Sequence, residues 1–597
     1  MAVDPYPPLP GDLSAAVGAA AALAETFQHA GGQPGIAYGI VAGGELVHAD
    51  GIGERRLGGP APDADTVFRI ASMTKSFTSS AVLLLRDRGA LRLDDLVETY
   101  VPELAGLKGP TADSPALTVR HLLTMAGGLP TDDPWGDRQQ GLPLPAFADL
   151  LRGGLSFAWA PGTRFEYSNL GYALLGLVAS AAAGMPYRDF VTDHLLTPLG
   201  LARTAFDPAG LPEHEVARGY RRVDDHWAEV PFDPYGAFAP MGGLFSTVRD
   251  LARWVAGMID AFPARDDNDD AHPLRRASRR ELQQPHHGIS SAALSDRWPF
   301  DDVTRLSSRA YGYGLFVDDD ARHGRVVFHS GGYPGFGSHM RWHPQRGVGV
   351  VVLANSTYAA ARTLATDMLA ALLDAAPDRT AARGPAPHGR PAWSATLAAR
   401  ADVTSLLTTG WDDTAAARWF AGNVDLDEPL PRRRAEIERI REQLGPLQPE
   451  ADREPVHDSP AHCAWWLRGP HGRVRVGIRL TPEKPPRVQT LDLTVARRPG
   501  ERLRAIVDEV IAALGDPAPA FPASVTTAPS LDRERLTRMM RLAAAWAGGC
   551  RRAEVAAGDG VTATTVRITG RTGDLTVSLQ TDGETATVSA FSVDMAL

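Results

Sequence analysis

Residues 69–88, RIASMTKSFTSSAVLLLRDR, constrain the fold of this chain more than any other stretch. A polar turn around Ser72 leads into an apolar run, Phe77 and then Ala81 to Leu85, which ends at Arg86, Arg88 and Gly89. That pattern predicts a buried helix with Ser72 at or near its N-terminus. The lysine in the stretch is out of keeping with the rest of the chain. Lysine and arginine total 61, yet only Lys75, Lys108 and Lys484 are lysine. An amine gives up its proton when its surroundings lower its pKa, whereas a guanidinium stays charged. Lys75 is therefore a candidate base. Residues three apart share a helix face, and the helix dipole favours negative charge developing at Ser72, which makes the serine a candidate activated nucleophile.

Composition narrows the partners. The chain has 597 residues, 44% hydrophobic and 22% charged, with a net charge of −10 and both signs interspersed. The length allows about three or four domains and a large core. The even charge distribution argues against nucleic-acid and anionic-membrane partners and for a small molecule. The alanine-rich N-terminus has aspartates and no basic residue before its apolar run, so it reads as an amphipathic helix and not as a secretory signal. No apolar run approaches the roughly 20 residues that span a bilayer, and Cys463 and Cys550 make no disulfide framework. A cytoplasmic location is the expectation.

Three segments are expected. Residues 1–376 mix strand-like runs, Ile36 to Val41 and Val348 to Leu353, with helix-like ones and carry every chemical cluster. Residues 377–391, rich in Pro, Gly and Arg and without periodicity, read as a linker. Beyond it lie an α+β unit at 392–514, a second break at 515–530 and a smaller unit at 531–597. The two units look duplicated. Gly469 and Gly472 fall on Gly570 and Gly573, and Val474, Val476 and Ile478 fall on Leu575, Val577 and Leu579, all at an offset of 101. A helical stretch precedes each set of strands, around Asp413 to Ala421 and Leu531 to Trp546.

Two further motifs give Ser-x-x-Lys its context. PGTRFEYSNLGYALLG places Tyr167 and Asn169 in a turn before an apolar helix, and VVFHSGGYPGFGSHMRWH places His329, Ser330, Gly331 and Gly332 at the end of a strand-like run. With Ser72 and Lys75 these resemble, in order, the three signatures of the serine β-lactamase and penicillin-binding-protein superfamily. RHLLTMAGGLP at 120–130 and GGLFSTVRDLARW at 242–254 resemble connecting segments of its class C branch, which includes esterases and D-aminopeptidases.

The resemblance implies an α+β fold: an antiparallel sheet flanked by helices, a mostly helical subdomain, and the active site between them. It implies that Ser72 attacks a carbonyl to give an acyl-enzyme, with Lys75 or Tyr167 taking the proton; which of them is left open. It also implies an oxyanion hole at the backbone N–H groups of Ser72 and Gly332, a substrate-lining role for His329 and Gly331, and a hydrogen bond from Asn169 to substrate or to Lys75. The third motif departs from the antibiotic-hydrolysing pattern, since His329 stands where lysine supplies a permanent cation. A mostly neutral imidazole favours uncharged ester or amide substrates, as in esterase and D-aminopeptidase members. Hydrolysis and acyl transfer, including peptide cyclisation, share the same acyl-enzyme. No cofactor is expected.

Other clusters carry less. RDDNDD at 265–270 starts like a calcium loop but lacks the glycine and the closing glutamate. The histidines show no paired metal spacing, so no metal is expected. Asp133 and Trp135, in TDDPWGDRQ, are candidate substrate contacts.

Overall fold

The computed structural model describes residues 13–30, 32–267, 270–294, 305–320, 323–375, 392–516, 518–571, 573–583 and 585–595. The expected linker at 377–391 lies outside the described residues. The described parts of Met1–Ala292 and Leu306–Pro377 form one compact unit, and those of Ala293–Arg305 and Asp378–Leu597 a second.

The first unit is built on an eight-stranded sheet. Its order is Glu45–Gly53, Gly35–Ala42, Val348–Ala354, Phe336–His343, Gly324–Tyr333, Phe316–Asp320, Arg305–Tyr311 and His287–Leu294. Every pairing from Glu45–Gly53 across to Arg305–Tyr311 is antiparallel. The Gly35–Ala42 and Val348–Ala354 strands read as unbroken apolar runs because both of their faces are covered. Ala37, Val41, Val351 and Leu353 join the core under the helices Thr74–Asp87, Asn169–Ala183 and Val248–Asp260. Ile36, Tyr38, Ile40, Val350 and Val352 alternate with them and pack on the helices Leu13–His29 and Ala361–Ala375. The two-residue period of a strand thus serves two cores at once. The α+β architecture matches the expectation from the motifs.

The Thr74–Asp87 helix is enclosed more completely than its apolar pattern indicates. Every residue from Thr66 to Leu85 is buried except Ser72, which is half-buried. A short pairing of Phe68–Arg69 with Phe245–Ser246 ties the start of this segment to the 242–254 stretch. Thr247 caps the helix that follows by accepting the Asp250 N–H.

In the second unit, a five-stranded sheet carries the helices Ser394–Thr408 and Leu430–Leu444, and a four-stranded sheet carries Glu501–Leu514 and Arg533–Ala547. The strands His462–Gly469 and Gly472–Leu480 recur as Ala563–Gly570 and Asp574–Thr581, as the 101-residue offset requires. Two details of the expectation change. The counterpart of Arg533–Ala547 is Leu430–Leu444, not the stretch from Asp413. The boundary at 514 and the linker at 515–530 also move. Ile506, Val507, Val510 and Leu514 share one core with Phe521, Val525, Leu536 and Val577, so the second module begins with the Glu501–Leu514 helix and residues 515–530 are packed, not a spacer. Proline and glycine in that stretch signalled a turn-rich path, while its two apolar anchors hold it in the core.

Candidate active site

Ser72 sits in a single 3₁₀ turn, Ala71–Met73, immediately before the Thr74–Asp87 helix. Ala71, just before it, has φ of 47°, a left-handed conformation uncommon for a residue with a Cβ. Such backbone persists only where the surroundings enforce it. Here they do: the Ile70 N–H donates to Leu244 O at 3.0 Å, and the Ile70 carbonyl accepts from Ser338 Oγ at 2.8 Å.

Lys75 is fully buried, and its Nζ meets three acceptors: Ser72 Oγ at 3.0 Å, Asn169 Oδ1 at 2.7 Å and Met241 O at 2.8 Å. Burial pushes its pKa down to about 8, against the opposing pull of Asp133, Asp137 and Asp132. Two of the three partners are amide oxygens, which only accept. A neutral amine therefore sends its two N–H groups to Asn169 and Met241 and turns its lone pair towards the Ser72 hydroxyl. That is the geometry of a general base.

Tyr167 is half-buried, with its ring face 4.9 Å from Lys75 Nζ and 6.3 Å from the His329 ring centroid. The structure moves its titration opposite to the sequence-based expectation of an easily ionised phenol. Burial, reinforced by the Asp133 charge, raises the phenol well above its usual value, with the Ser72 hydroxyl opposing. Of the two candidate bases, Lys75 is the one whose burial favours the proton-accepting neutral form, its amine being lowered to about 8.

Asn169 is the first residue of the Asn169–Ala183 helix, which Ser168 caps by accepting the Gly171 N–H. Its side chain is fully buried and turned to Lys75 through Oδ1, while Nδ2 donates to Asp133 Oδ1 at 2.8 Å. Of the two partners expected for Asn169, Lys75 is one that it meets. Asp133, a candidate substrate contact by sequence, is the hydrogen-bond acceptor that holds Asn169. Trp135 is 42% exposed and packs edge-on against Phe238.

His329 is 1% exposed, with both ring nitrogens engaged. Nδ1 lies 2.6 Å from the Ser330 carbonyl, which cannot donate, so Nδ1 carries the proton and Nε2 accepts from Tyr311 OH at 3.2 Å. Burial, with the Lys75 charge second, pushes its pKa down to about 3. The imidazole is neutral throughout the physiological range and directs no free N–H at a ligand. The rings of Tyr311, Tyr167 and Phe316 surround it.

Gly331 and Gly332 bring the strand backbone against the Ala71–Met73 turn. A Cβ on Gly331 would lie 2.2 Å from both Ile70 O and Ser338 Oγ, and one on Gly332 would lie 2.8 Å from the Tyr358 ring. Pairing with the Phe316–Asp320 strand stops at Phe328, so residues 329–333 pair on one side only, with Phe336–Met340. This leaves a strand edge beside Ser72. Gly331→Ala is expected to displace the Ile70 carbonyl and cost about 1–3 kcal/mol by overpacking, read from the urea unfolding midpoint, with a parallel fall in Ser72 acylation. Unchanged stability and acylation would show that the two backbones are not in contact.

Sequence reasoning missed three contributors. Met241 offers a backbone carbonyl, which has no side-chain signature. Asp132 accepts the N–H groups of Asn169 at 2.6 Å and Leu170 at 2.9 Å, seating the helix. Asp137, 4% exposed, accepts from Tyr358 OH at 2.7 Å, and burial raises its carboxyl to about 6. Asp132 stands 37 residues before the helix it seats, so no local pattern in the sequence marks it. The Asp–Asp–x–x–x–Asp spacing resembles an ordinary polar loop. In the 265–270 loop, Asn268 and Asp269 lie outside the described residues, while Asp267 and Asp270 pair with Arg276 and Arg279.

An antiparallel sheet flanked by helices, with Ser72 and the buried Lys75 on adjoining turns opposite a Tyr-x-Asn turn and a strand edge, is the arrangement expected from the three motifs. The model of the family described as Beta-lactamase matches residues 20–375, and the chain belongs to that family. Protein flp of Staphylococcus aureus (strain MW2) is 27% identical over 330 residues, 54% of this chain and 59% of that protein. D-alanyl-D-alanine-carboxypeptidase/endopeptidase AmpH of Escherichia coli (strain K12) is 26% identical over 341 residues, 55% of this chain and 81% of that protein. The match thus spans less than two thirds of flp. Among solved structures, the octameric penicillin-binding protein homologue from Pyrococcus abyssi superposes with a TM-score of 0.50 at 20% identity, covering 94% of this chain and 96% of that one. That likeness is one of fold.

Proposed function

We propose that this protein is a serine hydrolase that forms an acyl-enzyme on Ser72 and cleaves an ester or amide of a small uncharged acyl or amino-acyl substrate. The observation that carries this reading is the Lys75 amine, buried, lowered to about 8 and hydrogen-bonded to Ser72 Oγ at 3.0 Å. In the first step Lys75 takes the Ser72 proton as Oγ bonds to the substrate carbonyl carbon. The oxyanion so formed is received by the backbone N–H groups of Ser72 and Gly332, and collapse expels the leaving group with a proton returned to it. Water then repeats the sequence to release the acid. Tyr167 stays protonated and serves as a hydrogen-bonding relay beside Lys75.

Substrate charge follows from the electrostatics. The cation expected of a carboxylate-binding enzyme is replaced by a neutral, internally bonded His329, and three aspartates surround Lys75. A substrate carboxylate would meet repulsion and no fixed counter-charge. We expect kcat/KM for a p-nitrophenyl ester or an amino-acid amide to exceed that for nitrocefin by about 100-fold, or about 2.7 kcal/mol of differential transition-state binding. Nitrocefin turnover equal to the ester would overturn the substrate class. The name of the AmpH relative supports a second reading, removal of a terminal D-alanine, which release of D-alanine from a peptidyl-D-Ala-D-Ala substrate would establish. Acyl transfer to an amine is read in the same assays by product mass.

The lowered Lys75 also sets the pH dependence. A base must be neutral to act, so the acylation rate is expected to rise with pH and level off above about 8, the value to which burial moves this amine. A rate independent of pH between 6 and 9 would exclude Lys75 as the proton acceptor.

A further inference from the structure

Asn169 lies between Lys75 and a pair of neighbouring carboxylates. Its main-chain N–H goes to Asp132 Oδ1 at 2.6 Å and its side-chain Nδ2 to Asp133 Oδ1 at 2.8 Å. An amide side chain can present either its oxygen or its nitrogen to a neighbour, and the two faces have opposite consequences for Lys75. A carboxylate only accepts. Asp133 therefore fixes the amide with Nδ2 outward and Oδ1 towards Lys75 Nζ, where the separation is 2.7 Å. With Oδ1 in place, a neutral Lys75 must donate to Asn169 and to Met241 O, and its lone pair is left for Ser72. With the amide reversed, Asn169 Nδ2 would donate to that lone pair and occupy it. The seating of the helix belongs to Asp132, which bonds to main-chain groups. The side-chain orientation belongs to Asp133.

We propose that Asp133 is a positioning residue for acylation: by holding the Asn169 amide in one orientation it aims the free electron pair of Lys75 at the Ser72 hydroxyl. The inference rests on the reading of Ser72 as the nucleophile and goes beyond it, since Asp133 touches neither the serine nor the lysine. A second, separable effect is electrostatic. The groups facing Lys75 are Asp132, Asp133 and Asp137, which favour its ammonium, the rings of Tyr167 and Tyr172, and the neutral His329. Asp133 is the largest of the three acidic influences and the one on the exposed rim of the site.

Two substitutions separate the roles in the full-length protein. Asp133→Asn keeps an acceptor oxygen for Asn169 but loses the charge, whereas Asp133→Leu loses both. The readout is the rate of Ser72 phosphonylation by a fluorophosphonate probe as a function of pH, with thermal unfolding measured alongside. Asp133→Asn is expected to hold the high-pH plateau within about threefold and to move the midpoint to lower pH by about half a unit, because the ammonium has lost a stabilising neighbour. Asp133→Leu is expected to lower the plateau itself by about 10- to 100-fold, as the loss of a hydrogen bond that orders a charged network predicts. Asp133→Glu, which retains a carboxylate, should recover part of that loss. The proposal is overturned if the leucine variant keeps the wild-type plateau, or if the asparagine variant loses the plateau as far as the leucine variant does. A wild-type protein that the probe does not label at Ser72 at any pH would instead overturn the nucleophile reading itself.

Discussion

Replacing Ser72 by alanine is expected to abolish both turnover and covalent labelling, with a loss of about 10⁴-fold or more in kcat for any ester that the wild type hydrolyses. The size of the effect follows from the step that is lost. Without Oγ no acyl-enzyme forms, and the remaining donors can stabilise only a direct attack by water. The variant should fold normally, because Ser72 is the one half-buried position in an otherwise buried run from Thr66 to Leu85, and Lys75 keeps Asn169 and Met241 as partners when the hydroxyl is lost. Intact-mass analysis after treatment with an activated ester or phosphonate is the direct check. An adduct that persists in the alanine variant would place the nucleophile elsewhere.

The second large effect is expected at Lys75. Lys75→Arg keeps the positive charge, yet it should lose about 10³-fold in acylation rate and fall within tenfold of Lys75→Ala. A guanidinium does not release its proton in a protein, so it offers Ser72 no lone pair. It is also planar, whereas the three oxygens around Nζ, from Ser72, Asn169 and Met241, suit a tetrahedral nitrogen. Stopped-flow acylation of the two variants at several pH values decides the matter. An arginine variant within tenfold of wild type would show that charge alone is needed and that proton transfer goes through another group.

These two residues were legible from the sequence because their signal is local. Ser72 and Lys75 are three residues apart in a run with helical periodicity, and a helix turns them to one face whatever surrounds it. The rarity of lysine in an arginine-rich chain marked the one position where a titratable amine is wanted. Tyr167 and Asn169 were legible by their order and spacing, and the two modules after residue 392 by their offset. The roles were less legible than the identities. The sequence left Tyr167 and Lys75 equal as bases, and burial separates them by moving phenol and amine in directions that both favour the uncharged form. His329 was expected to line the substrate site, and in the fold its ring turns inward to Tyr311 and its own strand.

The sequence by itself determined the family, the Ser-x-x-Lys pair, the order of the motifs and the repeated hairpins, since each depends on residues close together in the chain or on a fixed period. Tertiary structure alone decided what those residues can do. The Lys75 environment is assembled from Ser72, Asn169 and Met241, positions up to 166 residues away from it. The strained turn at Ala71 is held by contacts with Leu244 and Ser338. Desolvation is the physical reason. An amine, a phenol and an imidazole have their ordinary acidities in any sequence, and only their enclosure together lowers the amine towards its neutral form while keeping the other two uncharged.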